Sequence, residues 1–212
     1  MATDDHPDRV GGRAGGRPRR PLYLDAAGLE AQAGSFDPVQ EAQAAHESAA
    51  ILVHRGRASD DPDVTARLVA LTEDVGLDTL AHLWATRPAR SLPGALWRLY
   101  VLRDWVRRDP AEASREYAAG IRYAAVNHVV AGPADPPGPE ELRALLDAVL
   151  RGVFDGDLAV ALERAAAFAR VVSAGRASES DGEAAATRAA DLLVTAEDLS
   201  ASARAWRRGA LA

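Results

Sequence analysis

The stretch from Ser91 to Pro110, SLPGALWRLYVLRDWVRRDP, constrains the fold more than any other part of this sequence. Ser91 can serve as an N-cap, and Pro93 falls in the first turn, where its missing N–H removes no intrahelical hydrogen bond. At about 100° per residue, the apolar side chains cover more than half of the helix circumference, whereas a surface helix needs a stripe only about 100° wide. We therefore predict a buried central helix over residues 92–108, packed on several sides by other helices.

The charged side chains of this helix fall into two groups. Arg103, Asp104, Arg107 and Arg108 occupy the polar arc and are predicted to face water. Arg98 lies within the apolar arc, and two interpretations of it stay open. Its stem can snorkel towards solvent, or its guanidinium can be buried, in which case it must be paired and hydrogen-bonded.

The sequence also raises the possibility of a polar site in the core that includes Arg98. Glu47 is the first candidate partner for Arg98, because it borders the apolar face of its own helix. His46 and His128 each fall on an apolar stripe and are core histidines in the simplest interpretation. These four residues together form a candidate buried site of the kind found in small enzymes or metal-binding proteins. His46-Glu47 does not begin a zinc-protease motif, because the position that needs a second histidine is Ala50.

Proline, glycine and capping residues divide the chain into helices. Asp37-Pro38 and Asp61-Pro62 each place a carboxylate directly before a first-turn proline, and glycines stand at several predicted ends. No alternating strand pattern competes with the helical one. The sequence predicts an all-α irregular bundle of about eight helices near residues 37–56, 61–76, 77–86, 92–108, 110–132, 139–150, 155–174 and 181–208.

The last of these helices carries a stripe of alternating small and large side chains. The large positions are Leu192, Leu199 and Trp206, and alanines fill the positions between them. This alternation allows two helices to approach closely. We interpret the stripe as a seam that packs within the chain, with self-association as the alternative.

The N-terminal stretch differs from the rest in composition. Residues 1–35 are predicted to form a disordered leader rich in arginine and glycine, and residues 36–212 a single helical domain. Five arginines against three aspartates give residues 1–21 a net charge of +2, so that −8 belongs to the remainder of a chain whose total is −6. The leader can contact nucleic acid weakly or remain a solvated tail. The arginines concerned are Arg9, Arg13, Arg17, Arg19 and Arg20.

Several protein classes are excluded by what the sequence lacks. Cysteine is absent, which rules out disulfides, thiolate metal ligands and cysteine nucleophiles. Neither a signal-peptide core nor an apolar run of about 18 residues occurs, so we predict no membrane association and a cytoplasmic location. No phosphate loop, dinucleotide fingerprint or nucleophile elbow occurs, so no cofactor and no catalytic residue are predicted.

Two segments, HESAAILVHRGR and LDTLAHLWATRPARSLPGALWRLYVLRDWVRR, resemble an all-helical family of high-GC bacteria. Members of that family are sometimes given an RNA-polymerase beta-subunit name, and the resemblance covers about residues 36–208. It implies a helical fold and favours a transcription-linked partner. The chain lacks the metal-binding aspartate motif of that polymerase, so the resemblance implies no activity and no site residue.

These observations predict a non-catalytic helical module that interacts with a protein partner or regulates one. Two alternatives stay open. One is a nucleic-acid-associated accessory protein that uses the arginine-rich leader. The other is a small helical enzyme or metal-binding protein that uses the buried His/Arg site.

Overall fold

The computed structural model describes residues 37–127, 136–179 and 182–211. These ranges contain nine α-helices and no strand, which confirms the predicted all-α class. The helices are α1 (Pro38–Ala58), α2 (Pro62–Val69), α3 (Leu71–Val75), α4 (Leu77–Trp84), α5 (Leu92–Arg108), α6 (Pro110–Asn127), α7 (Pro139–Asp155), α8 (Leu158–Glu179) and α9 (Glu183–Arg207). The ninth helix arises because the predicted helix over residues 61–76 is divided at Ala70, whose ψ of 9° departs from helical geometry.

Three helix starts lie where the capping residues predict them. The Asp37 carboxylate accepts a hydrogen bond from the Val39 N–H at 3.0 Å, and Asp61 accepts one from the Asp63 N–H at 2.9 Å. The Ser91 hydroxyl accepts from the backbone N–H of Gly94 at 3.2 Å. Each bond satisfies one of the N–H groups that a first helical turn leaves without an intrahelical partner.

Two glycines that were predicted to end helices lie inside them. α1 continues past Gly56 to Ala58, and α8 continues past Gly175 to Glu179. A Cβ on Gly56 would approach the Cβ of Phe154 to 2.8 Å, so this glycine makes room for a neighbouring side chain. The prediction was wrong because a missing Cβ can serve close packing as well as a helix end.

α5 is buried as predicted, and its bounds agree with residues 92–108. Ten of its 17 residues are buried, and it packs against α1, α4, α6, α7, α8 and α9. α8 is a second buried helix, with extensive packing against α6, α7 and α9. Both belong to the compact unit Asp37–Ala212.

α6 and α8 cross with their backbones in direct contact. A Cβ at Gly120 would overlap the carbonyl oxygen of Val171, and a Cβ at Gly175 would overlap that of Glu116. Each helix contributes one of these glycines, Gly120 from α6 and Gly175 from α8. Small residues at such a point allow two helix axes to come closer than side chains usually permit.

The stripe on the last helix packs on the core of the described chain. Leu199 is fully buried, and Leu192 and Trp206 are half-buried against the same core. α9 packs mainly on α8, where the Ser173 hydroxyl donates to the Ala189 carbonyl at 2.7 Å. The helix begins at Glu183 after Gly182, close to its predicted start near residue 181, which itself lies outside the described residues.

None of the helices described is both long enough and apolar enough to cross a membrane.

Candidate functional site

Arg98 is half-buried and paired, but its partner is not the predicted one. One guanidinium nitrogen donates to the Gly94 carbonyl of its own helix at 3.0 Å, and another lies 3.7 Å from an oxygen of Asp198 on α9. Asp198 also accepts from Arg90 at 2.9 Å. Burial lowers the pKa of Arg98, and the negative charge of Asp198 opposes that shift. Asp198 therefore takes the role that the sequence assigned to Glu47.

The other members of the predicted core site do not assemble around Arg98. His46 has its Nδ1 2.7 Å from the Ala42 carbonyl oxygen, and Glu47 accepts from the amide of Gln43 at 2.7 Å, so both are held within α1. His128 lies outside the described residues. Among the side chains that the structure describes, no group of three His, Asp or Glu residues could hold a metal ion.

Arg103, which was predicted to face water, is buried. Its side chain is 3% exposed, and it donates to Asp147 of α7 at 2.6 Å and to Glu73 of α3 at 2.9 Å. Arg107 lies 3.0 Å from the same Glu73 carboxylate and 3.8 Å from Asp147. The prediction was wrong because the polar arc of α5 packs against carboxylates from two other helices.

A second buried ion pair, which no sequence pattern indicated, joins α6 and α8. Arg176 donates to both carboxylate oxygens of Glu116 at 2.8 Å, and its guanidinium carbon lies 5.2 Å from the ring centroid of Trp105. This bidentate geometry is the strongest form of an arginine–carboxylate contact. Glu116 and Arg176 are 60 positions apart, and the crossing of α6 and α8 is what brings them together.

These buried polar groups bind one another, which suits a structural role. The Tyr100 hydroxyl donates to the Leu68 carbonyl at 2.6 Å, and burial raises the pKa of this phenol, so it stays protonated. Among the described side chains, Ser202 Oγ is the buried polar atom without a hydrogen-bond partner. Acid–base or nucleophilic catalysis needs polar groups that converge on a space open to substrate. The ion pairs of Arg98, Arg103 and Arg176 connect helices instead.

The feature best suited to binding is an open apolar groove between α1 and the C-terminal end of α9. We call it the α1/α9 groove. It has a volume of about 370 Å³ and is lined by His46, Glu47, Ala50, Val53, His54, Leu92, Trp206 and Leu211. A shallower depression of about 420 Å³ adjoins it and shares Glu47, Ala50 and His54. Together they leave a continuous apolar strip along α1 uncovered by the rest of the described chain.

The outer edge of the groove is a ridge of three side chains spaced one helical turn apart. Glu47, Ile51 and Arg55 lie at positions i, i+4 and i+8 of α1, which places them on one face. Ile51 is 53% exposed, a high value for a large aliphatic side chain beside an apolar groove. The ridge therefore places an apolar residue between two charges of opposite sign.

Arg57 connects the groove with a larger polar cleft of about 540 Å³. Its guanidinium carbon lies 5.2 Å from the Trp206 ring centroid, and it donates to the Gly156 carbonyl at 2.9 Å. The cleft is lined by side chains that include Asp60, Asp155 and Arg151. Because its carboxylates and guanidinium groups are mixed, the cleft has no single charge that would select a ligand.

The arginines of the leader, Arg9, Arg13, Arg17, Arg19 and Arg20, lie outside the described residues, so their predicted nucleic-acid contact stays a prediction.

No protein-family model, no curated protein and no solved structure matches this chain.

Proposed function

We propose that this protein is a non-catalytic interaction module whose α1/α9 groove binds a helical segment of a partner protein. The observation that carries this proposal is the apolar strip beside α1, in which Ile51 is 53% exposed and Ala50 and Trp206 are half-buried. Exposed apolar surface of this kind, bordered by polar side chains, is typical of an interaction site. The family resemblance makes a transcription-linked protein the first partner class to test.

The dimensions of the groove favour a helix as the occupant. From His46 to His54 the α1 wall extends eight residues, which at 1.5 Å per residue is about 12 Å, or slightly more than two helical turns. A bound helix of that length presents apolar side chains at positions i, i+4 and i+7 along one face. A helix also satisfies its own backbone hydrogen bonds, which an apolar wall cannot do for an extended peptide.

The test is photo-crosslinking in the native cell from within the groove. A photoreactive amino acid at position 51 should give an adduct with a single protein partner. The adduct should disappear when Ala50→Arg fills the groove, because a long charged side chain then occupies the apolar strip. Affinity for the partner thus identified should fall at least about tenfold in titration with the purified Ala50→Arg protein.

Ala190 provides the matched control, because it is exposed on α9 and lies 16 residues before Trp206, outside the groove. Ala190→Arg should leave the adduct and the affinity unchanged, and a photoreactive residue at position 190 should give no adduct. Equal loss in both arginine variants, or the same adducts from positions 190 and 51, would contradict binding in the groove. Circular dichroism establishes that both variants keep the parent helix content.

A further inference from the structure

The charges on the outer ridge of the groove bear on which helix would bind and in which direction. Glu47 and Arg55 are eight residues apart on α1, which separates them by about 12 Å along the helix axis. Neither side chain forms an ion pair with any residue in the described ranges. Both are exposed, so both are accessible to a partner.

Glu47 keeps acceptor capacity beyond the contact that it makes within its own helix. Arg55 lies in the last turn of α1, where a cation is favoured by the helix dipole. The one polar contact of Glu47 is with Gln43, which leaves further acceptor positions on its two oxygens. Glu47 lines both parts of the groove. A cation on a bound helix would therefore find it directly at the edge of the apolar strip.

We infer that the α1/α9 groove selects an amphipathic helix that binds antiparallel to α1, with an acidic residue opposite Arg55 and a basic residue opposite Glu47. The direction follows from the charge order. In a stable helix, acidic residues are favoured near the N-terminus and basic residues near the C-terminus. A partner helix with that order meets both ridge charges only when its N-terminus lies beside Arg55. Its apolar face then covers Ile51 and Ala50. This inference rests on the proposed function, since it specifies the partner of the same groove.

The experiment uses a displayed library of amphipathic helices of about 18 residues, with leucine fixed along one face and all other positions random. The library is selected on the full chain. Groove binders are those that lose binding to Ala50→Arg but keep binding to Ala190→Arg. We expect these binders to carry an acidic residue seven or eight positions before a basic one. Glu47→Arg should weaken them about three- to tenfold, as expected for exposed ion pairs.

The charge swap gives the sharpest readout. In the Glu47→Arg/Arg55→Glu double variant, a peptide with the same acidic-before-basic order meets both charges only when it lies parallel to α1. A photoreactive group at the peptide N-terminus should therefore crosslink near position 55 of the parent chain and near position 47 of the double variant. Glu197→Arg, an exposed α9 position without an ion pair to a described residue, should change neither the charge order nor the direction. Groove-dependent binders with no charge order, or with no response to the swap, would overturn this inference and leave the proposed function standing. A selection that yields no groove-dependent binder would overturn both.

Discussion

At the level of single residues, two arginines on α5 are both paired with carboxylates but are buried to different extents. Arg103 is almost fully buried and depends on carboxylates from α3 and α7. Arg98 is 24% exposed at its side chain, so water still solvates part of its guanidinium. Their carboxylate partners should therefore differ in importance, because a cation that loses its partner is costly only where solvent cannot replace it.

We expect Asp147→Ala to destabilise the protein by about 2–3 kcal/mol, because it leaves the buried Arg103 with the Glu73 carboxylate and a long 3.4 Å hydrogen bond to the Thr72 hydroxyl. Asp198→Ala should cost less than about 1 kcal/mol, since the two arginines it releases can both reach water. Urea unfolding of the two variants measures the difference. Adding Arg103→Met to Asp147→Ala should recover part of the loss. Equal costs for the two alanine variants would show that Arg103 is not isolated from solvent.

At the level of helices, the N-terminal caps could be predicted from the sequence, but the packing roles of the glycines could not. The caps at Asp37, Asp61 and Ser91 could be predicted because capping is local, within three residues of chain. The roles of Gly56, Gly120 and Gly175 could not, because each depends on which helix lies opposite. The exposure of Arg103 was predicted wrongly for the same reason, because helical periodicity defines a face of the helix but not the residues that this face contacts.

Alanine substitutions at three helical glycines should separate these roles. Gly152 lies inside α7 with the nearest neighbour of a new Cβ at 3.7 Å, so Gly152→Ala should stabilise the protein by up to about 1 kcal/mol through helix propensity. Gly120→Ala and Gly175→Ala should destabilise it by about 1–3 kcal/mol, because the new methyl overlaps a carbonyl oxygen. Thermal unfolding provides the comparison. A stabilising effect at all three positions would refute the backbone contact between α6 and α8.

At the scale of the whole molecule, the fold class and the extent of α5 could be predicted because apolar periodicity reports them directly. The candidate site could not. The α1/α9 groove combines residues 46–54 with Leu92, Trp206 and Leu211, and no sequence pattern brings these segments together. Trp206 was identified only as part of a seam, whereas it both packs on the core and lines the groove.

The response of the whole chain to acid depends in part on the exposed pair between α8 and α9. The hydrogen bonds from Arg207 hold the pKa of Glu163 below its ordinary value of 4.5. The unfolded chain therefore takes up this proton at a higher pH than the folded protein does. The pair's stabilisation is present above the unfolded pKa and is lost as the pH falls through the folded pKa.

Glu163→Gln should accordingly lower the melting temperature slightly near pH 7, and this effect should shrink as the pH falls through the lowered pKa of the folded-state carboxyl, where the parent takes up its proton too. Melting curves across that range give the measurement. Glu197→Gln, at an exposed carboxylate without an ion pair to a described residue, serves as the control and should show no such pH dependence. A loss that persists at low pH would mean that Glu163 acts through packing.

The glycine contacts between α6 and α8 also determine how these two helices can be aligned. Sliding α6 by one turn along its axis would move Glu116 to the point where Gly120 now meets Val171. The Cβ of Glu116 would then collide with the Val171 carbonyl, and the bidentate bond to Arg176 would be broken. As long as the two backbones stay in contact, this translation of α6 along its axis is blocked, whereas rotation about the crossing point keeps the two glycines where they are.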